Sequence, residues 1–493
     1  MKIIRKIVSA FAALLTATTL MSSAATAASE NYENYSYDRW GDAVPSQAGY
    51  IADRAITGEM MGTKNLSEPA DMFISDDGLM YIADKLNNRI VVTDLNFDAV
   101  IRVYETFDNG GETLTLKNPQ GVFVDDYTGF MYVCDTENNR VIKCDKDGKV
   151  DRLFTKPDNS LYGTEITYEP FKVCVDEMGN VYVVARSVNR GAIMFDKNGE
   201  FLGFFGANTV MQTAEVIANA FWNLISTEEQ MLRTTRSVPV GFSNFDIDGQ
   251  FIYTVTETTG EQTADQLKKL NPRGDNVLDA IDMAGENFGD IMPAKYNEFA
   301  QESKMRDVDI GDNGEMNILD YEHGRIHQFD KDGYRLFIMG GKGNRMGTFT
   351  NAVAIESHGD RIYVLDSSKN TITEFVRTVF GGIVTEAMGY YNRAEYSESK
   401  ELWETVLKYD GNYVRAYVGI GLAYLFEQDY ETALGYFEIA ISRYYYNEAF
   451  EGYRNAFLKQ HFTVIIIVLA VLAVGIYILR RRLNKYKMYE RGI

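Results

Sequence analysis

The chain is short of the residues that build stapled or metal-centred proteins. Its 493 residues include three cysteines, Cys134, Cys144 and Cys174. That number excludes a disulfide scaffold. Cys134 and Cys144 fall on two expected strands that flank one polar loop, where a cross-strand bridge is conceivable; buried free thiols are the favoured reading. There are four histidines, His323, His327, His358 and His461, with no H-E-x-x-H and no Cys/His cluster at zinc spacing. No G-x-S-x-G elbow occurs, because Gly241-Phe242-Ser243-Asn244-Phe245 lacks the second glycine. No D-x-D-x-D-G calcium loop occurs either. Basic residues are also scarce: 49 Lys and Arg stand against 70 Asp and Glu, a net charge of −21. Several of those cations cluster at the two chain ends, so the part between is more acidic still. Such a surface lacks the basic footprint that nucleic acid or anionic lipid requires.

Long apolar runs are confined to the two ends. Residues 1–27 read as a secretory signal peptide: Lys2, Arg5 and Lys6, then apolar Ile7–Leu20, then the small-x-small site Ala25-Thr26-Ala27. No cysteine lies near that site, which argues against a lipid anchor. Residues 462–479, FTVIIIVLAVLAVGIYIL, carry no charge and run into Arg480, Arg481, Arg482, Lys485 and Lys487. This predicts one transmembrane helix with a basic cytoplasmic tail, residues 480–493, and everything before it outside the cell membrane.

Between the ends the chain repeats itself. YIADKLNNRI (81–90) returns as YVCDTENNRV (132–141), each after a proline and an alternating apolar stretch, PADMFISDDGLM and PQGVFVDDYTGFM. Weaker copies start at Pro170, Asn244, Arg306 and Asn351. Self-similarity at about fifty residues, built from short strands with DDG, DKDG, DKNG and DNG turns, predicts a mainly β fold, a six-bladed propeller over 48–379. The segment 48–62 is expected to close the ring by adding the outer strand of the last blade. The Asp84/Asn88/Arg89 and Asp135/Asn139/Arg140 sets recur from blade to blade, so they read as structural.

These residues resemble the NHL repeat: proline, alternating strand, Tyr-Val-x-Asp strand, then Asn-Asn-Arg. The resemblance covers residues 48–379 and implies a six-bladed ring. The family hosts protein binding, RNA binding, sensing, and lyase or hydrolase chemistry, so it implies no single activity. RNA binding is disfavoured here by charge and compartment. The lyase members use metal-bound histidines, which four scattered histidines support poorly.

After residue 380 the period changes to helical. Tyr396, Ser399, Trp403 and Val406 align with Tyr430, Ala433, Phe437 and Ala440, and Gly421 and Tyr424 stand at the spacing of an L-G-x-x-Y pattern, with Ile420 in place of the Leu. The 34-residue offset resembles the tetratricopeptide repeat, and residues 384–459 are expected to hold two such repeats and a partial capping helix. They serve either as a docking groove or as a spacer.

Departures from the repeat mark the candidate ligand site. At the start of the inner strands stand Asp71, Gly121, Lys172, Asn244, Asp307 and Ala352, with Gln120 and Arg306 beside them. Arg186 is expected where other blades carry the strand-end Asp. Such a ring can orient a small polar ligand such as a sugar. It can also hold calcium, for which Asp71 and Asp307 are the candidates. Insertions at 207–241 and 284–304 are expected on the same face, with Phe221, Trp222, Phe288 and Tyr296 as an apolar lip. The expected function is a non-catalytic, membrane-anchored binding or scaffold protein for a glycan or a membrane protein complex such as a transporter. No cofactor is required. The alternative is a calcium-dependent hydrolase or lyase, as in gluconolactonase-like propellers. A third reading gives the contact to the helical repeats alone.

Overall fold

The computed structural model describes residues 32–163, 165–208, 240–257, 266–278, 288–290 and 302–490. The expected signal peptide lies outside them. Six antiparallel sheets follow one another around a ring. The inner strands are Asp71–Ile74, Pro119–Asp125, Pro170–Val175, Asn244–Asp248, Met305–Ile310 and Ala352–His358. Each pairs outward with its successor in the chain. Blade four shows three strands among the described residues; the other five show four.

The ring closes as the sequence predicts. Strand Tyr50–Ile56 pairs antiparallel with Thr371–Arg377, the third strand of blade six, and becomes its outer strand. In that register Arg54 faces Glu374. Glu374 is fully buried and takes ion pairs from Arg54 and Arg361. The thiols are free and buried. Cys134 faces Val141 and Cys144 faces Met131, so the two are not partners across the strands.

The recurrent Asp/Asn/Arg sets are structural. Asp84 accepts from Ser67 N at 2.7 Å, Asn87 Nδ2 at 2.7 Å and Arg89 Nε at 2.7 Å. Asp135 accepts from Lys117 N, Asn138 Nδ2 and Arg140 Nε in the same way. Asn88 and Asn139 end the intervening turn at φ of 53° and 55°, a conformation Asn tolerates. In blade five the equivalent Asp320 again accepts from the loop amides of Lys304 at 3.1 Å and Glu322 at 2.9 Å, and it lies beside two histidines, His323 Nδ1 of the loop at 2.7 Å and His327 Nε2 of the next strand at 3.7 Å. Those histidines are thereby accounted for by blade architecture.

Five helices follow: α1 (Val379–Asn392), α2 (Tyr396–Tyr409), α3 (Val414–Phe426), α4 (Tyr430–Ala440) and α5 (Arg443–Glu490). The 34-residue offset reappears as the starts of α2 and α4. Trp403 and Phe437, its paired aromatics, are both fully buried. A Cβ on Gly419 would stand 2.3 Å from the Trp403 indole, so only glycine lets α3 approach α2 this closely. The expected capping segment is the first part of α5 and runs without a break into the apolar stretch. α5 is long and apolar enough to cross a membrane once.

The helices lie at one end of the ring, beside its hairpin turns. Thr378 N donates to Gly49 O at 2.9 Å, so both chain ends of the propeller meet there. Asn392 Nδ2 reaches Asn313 O in the first turn of blade five at 3.0 Å. Tyr413 Oη reaches Leu336 O at 2.8 Å. Arg415 of α3 inserts against Asp330, in the last turn of the same blade, with Nε–Oδ2 at 2.5 Å and side-chain exposures of 1% and 3%. The guanidinium sits among Tyr334, Tyr391 and Trp403 at 4.9, 5.0 and 5.5 Å. Removing one member of a buried pair leaves the other charged and dry. Arg415→Ala should therefore cost about 3–5 kcal/mol in urea unfolding followed by tryptophan fluorescence. A loss below about 1 kcal/mol would show that this contact does not bolt the helices to the ring.

Candidate functional site

Propeller geometry gives the central channel two mouths. The inner strands all start at one and end at the other, so residues two apart along them form stacked rings. The first ring is Asp71, Gly121, Lys172, Asn244, Asp307 and Ala354. Ala354, not the expected Ala352, fills the blade-six position: Ala354 faces Leu365 as Gly121 faces Cys134, whereas Ala352 faces Asp366 as Pro119 faces Asp135.

Inside that ring the expected residues pair with each other. Lys172 Nζ is ion-paired to Asp71, and both are buried. Asp71 Oδ2 also accepts from Val122 N of the next blade at 3.0 Å. Asn244 Nδ2 donates to Asp307 Oδ1. Asp307 Oδ2 accepts from Ile355 N of the next blade at 2.8 Å. Burial pushes the Asp307 carboxyl up to about 7, opposed by Lys172 and assisted by Asp71. These two aspartates, the calcium candidates, are thus engaged in ties between blades. Among the described residues no group of three or more His, Cys, Asp or Glu is arranged to hold a metal ion.

Above the ring the first mouth opens into a cavity of about 730 Å³. Gln120, Lys172 and Arg306 line it, with Phe171, Ser67, Ser243, Ser367, Asn351 and Asn370. Its charges are paired: Lys85 with Glu68 at 3.0 Å and Arg306 with Glu257 at 2.9 Å. Arg306 also stacks on Tyr321 at 4.5 Å. Arg186 reaches Gln120 Oε1 at 2.9 Å, at the rim. It does not occupy the strand-end Asp position. Pro170 faces Ala185 as Pro119 faces Asp135, so Ala185 does. Phe288 is buried between blades four and five, edge-on to Phe329 at 5.4 Å. Phe221, Trp222 and Tyr296 lie outside the described residues.

The second ring was not anticipated from sequence. Two residues on from the first ring stand Phe73, Phe123, Cys174, Asp246, Asp309 and Glu356. The two phenylalanines contact each other at 4.8 Å between ring centroids. Opposite them, three adjacent blades each offer a carboxylate. Asp246 accepts from Ile310 N at 2.9 Å, Asp309 from Ser357 N at 3.0 Å, and Glu356 from Ile74 N at 3.2 Å. Below it the second mouth, about 320 Å³, is lined by Asp76, Asp125, Asp126, Asp176, Glu177 and Asp312 as well, with no lysine or arginine. The signal was present as i, i+2 spacing from the first ring.

Comparison with known proteins adds little. No family model and no curated protein matches the chain. Among solved structures, hydrazine synthase of Kuenenia stuttgartiensis is 11% identical with a TM-score of 0.38, covering 64% of this chain and 97% of that one. A catalytically inactive virginiamycin B lyase from Staphylococcus aureus with quinupristin is 11% identical with a TM-score of 0.38, covering 71% and 97%. A streptogramin B lyase is 12% identical with a TM-score of 0.35, covering 68% and 100%. Likenesses at this level assign no activity.

Burial first, and then repulsion from Asp309, hold the Asp246 and Glu356 carboxyls above the ordinary range; burial raises Asp309 to about 6 against the hydrogen bonds it accepts from Ser357 and Asn317. A carboxyl whose folded value is raised binds its proton more tightly in the native state. Its contribution is fully present below the unfolded value, near 3.9, and is lost as pH rises through about 6. His327, pushed down to about 4 by burial, acts in the opposite sense and loses its contribution as pH falls from about 6.5. Comparing Asp309→Asn with the native chain separates the two. The variant should gain thermal stability relative to native as pH is raised from 5 to 7.5. A difference in Tm that stays constant across that range would remove Asp309 as a titrating group.

Proposed function

We propose that the chain is a secreted-side recognition protein held by one membrane span, and that the first channel mouth binds a neutral, polyhydroxylated ligand of the cell-wall or imported-glycan kind. The observation that carries this is the chemistry of that mouth. Hydroxyls, amides and internally paired charges surround half-buried Phe171 in a space of about 730 Å³. Sugar hydroxyls need donors and acceptors side by side and an apolar face for their C–H surface. A phosphate or acidic sugar would want unpaired cations, and Lys85, Lys172 and Arg306 each already have a carboxylate.

Orientation supports the same reading. The helices sit at the turn end of the ring, so this mouth faces away from α5. With residues 1–27 as a signal peptide and 462–479 as the span, the mouth would point outward from the membrane. The NHL-like repeats form the recognition disk, and the tetratricopeptide-like helices form the stalk that lifts it. The calcium-dependent hydrolase alternative ranks lower, because Asp71 and Asp307 would have to release Lys172, Asn244 and two strand amides to bind an ion.

The test is calorimetry of the full chain in detergent against cell-wall fragments and neutral oligosaccharides. Arg306→Ala and Gln120→Ala should each weaken binding more than about tenfold with Tm unchanged. Undiminished binding in both variants would place the ligand elsewhere. Turnover of a sugar lactone on adding calcium would replace this reading with the enzymatic one.

A further inference from the structure

α5 shows three faces before it reaches its apolar stretch. Tyr445 and Ala449 are buried on the helical region, and a Cβ on Gly452 would meet Tyr430 at 2.3 Å. Asn447, Glu448, Glu451, Arg454 and Asn455 make a mostly polar face, with Tyr444 and Leu458 also on it. The third face is aromatic and open: Tyr446, Phe450, Tyr453 and Phe457 are 37%, 46%, 39% and 47% exposed.

Those four residues are spaced 4, 3, 4. The pattern continues without a slip through Gln460 to Val464, Ile467, Val471, Val474 and Ile478, all β-branched. A repeat of 3.5 keeps one seam facing a partner helix in a left-handed pair. Lipid reaches only the lower part of it. At 1.5 Å per residue, Phe450 and Tyr446 stand about 18 and 24 Å above Phe462. The headgroup layer extends only about 5–8 Å beyond the hydrocarbon. Phe457 can sit in that layer, but Tyr446 and Phe450 cannot.

We propose that this seam is the contact between two copies of the chain, paired in parallel along α5 from Tyr446 through the span. Copies inserted in one membrane share orientation, so identical seams meet in register. The charged residues of the polar face lie outside the contact, so no like charges are forced together. This inference rests on the membrane anchor proposed above.

The test uses the full chain in its membranes. The native thiols are buried, so a single introduced cysteine reports alone. Phe450→Cys, Tyr453→Cys and Phe457→Cys should give covalent dimer on mild oxidation. Glu448→Cys and Asn455→Cys, on the opposite face, should give at least fivefold less. Equal yields on both faces, or none at any position, would overturn the pairing. So would a single-chain mass for the native protein by light scattering in mild detergent, where two chains are expected. Resistance to alkaline carbonate extraction tests the anchor separately. Release of the chain from membranes would overturn the anchor and the membrane pairing together; retention with a flat cross-linking pattern would overturn the pairing alone.

Discussion

Everything in the propeller depends on one strand pairing, between Tyr50–Ile56 and Thr371–Arg377. A sheet ring left open exposes two edges, and blades would splay from a gap. Here residues more than three hundred positions apart along the chain complete a single blade. The contact is specified beyond backbone hydrogen bonding. Glu374 is buried in the third strand of blade six and is neutralised by Arg54 from the closing strand and Arg361 from the same blade. A slip of one residue would turn Arg54 to the other face and leave Glu374 short of a partner. The closing strand also fixes Gly49 beside Thr378, where a Cβ on Gly381 would stand 2.1 Å from the Gly49 carbonyl oxygen. Ring closure and the placement of the helices are therefore one event.

Closure creates a crowded axis, and the inner strands must satisfy their free amides there. The chain does this with side chains from the preceding blade. Asp71 serves Val122, Asp246 serves Ile310, Asp307 serves Ile355, Asp309 serves Ser357 and Glu356 serves Ile74. Buried backbone donors demand acceptors, and carboxylates supply strong ones. This explains why acidic residues collect along the channel. The Lys172–Asp71 pair offsets part of that charge in the first ring. Among the described residues no lysine or arginine lines the second, where the carboxyls hold their protons more tightly than exposed ones do.

The repeat made the fold legible. YIADKLNNRI and YVCDTENNRV carry the strand-end Asp, the left-handed Asn and the Arg that rebuild the same corner in each blade. The alternation around them fixed strand order, and AGYIADRAITGEMMG fixed the closing strand. The site was half legible. Lys172, Gln120 and Arg306 do meet at one mouth, because blade equivalence alone places them there. What the sequence concealed was pairing. Asp71 and Asp307 looked like free ligands and are engaged in ties between blades. Arg186 looked like the substitute for Asp, but Ala185 stands where Asp135 does and Arg186 falls one residue beyond the strand. Register is fixed by backbone pairing, and a displacement of one residue in reading the repeat is enough to miss it.

The Arg415–Asp330 contact gives the two mouths different surroundings. A flexible joint would leave either mouth free to turn toward the helices. A buried ion pair, walled by Tyr334, Tyr391 and Trp403, instead joins α3 rigidly to the last turn of blade five. Asn392 touches the first turn of the same blade, next to Asp312 at the acidic mouth. The acidic mouth is thus the one beside the helices, and the mouth with paired charges is the one left clear. The same rigidity carries down α3 and α4 to Tyr445 and Ala449, so the direction of α5 is set by the propeller rather than by a hinge.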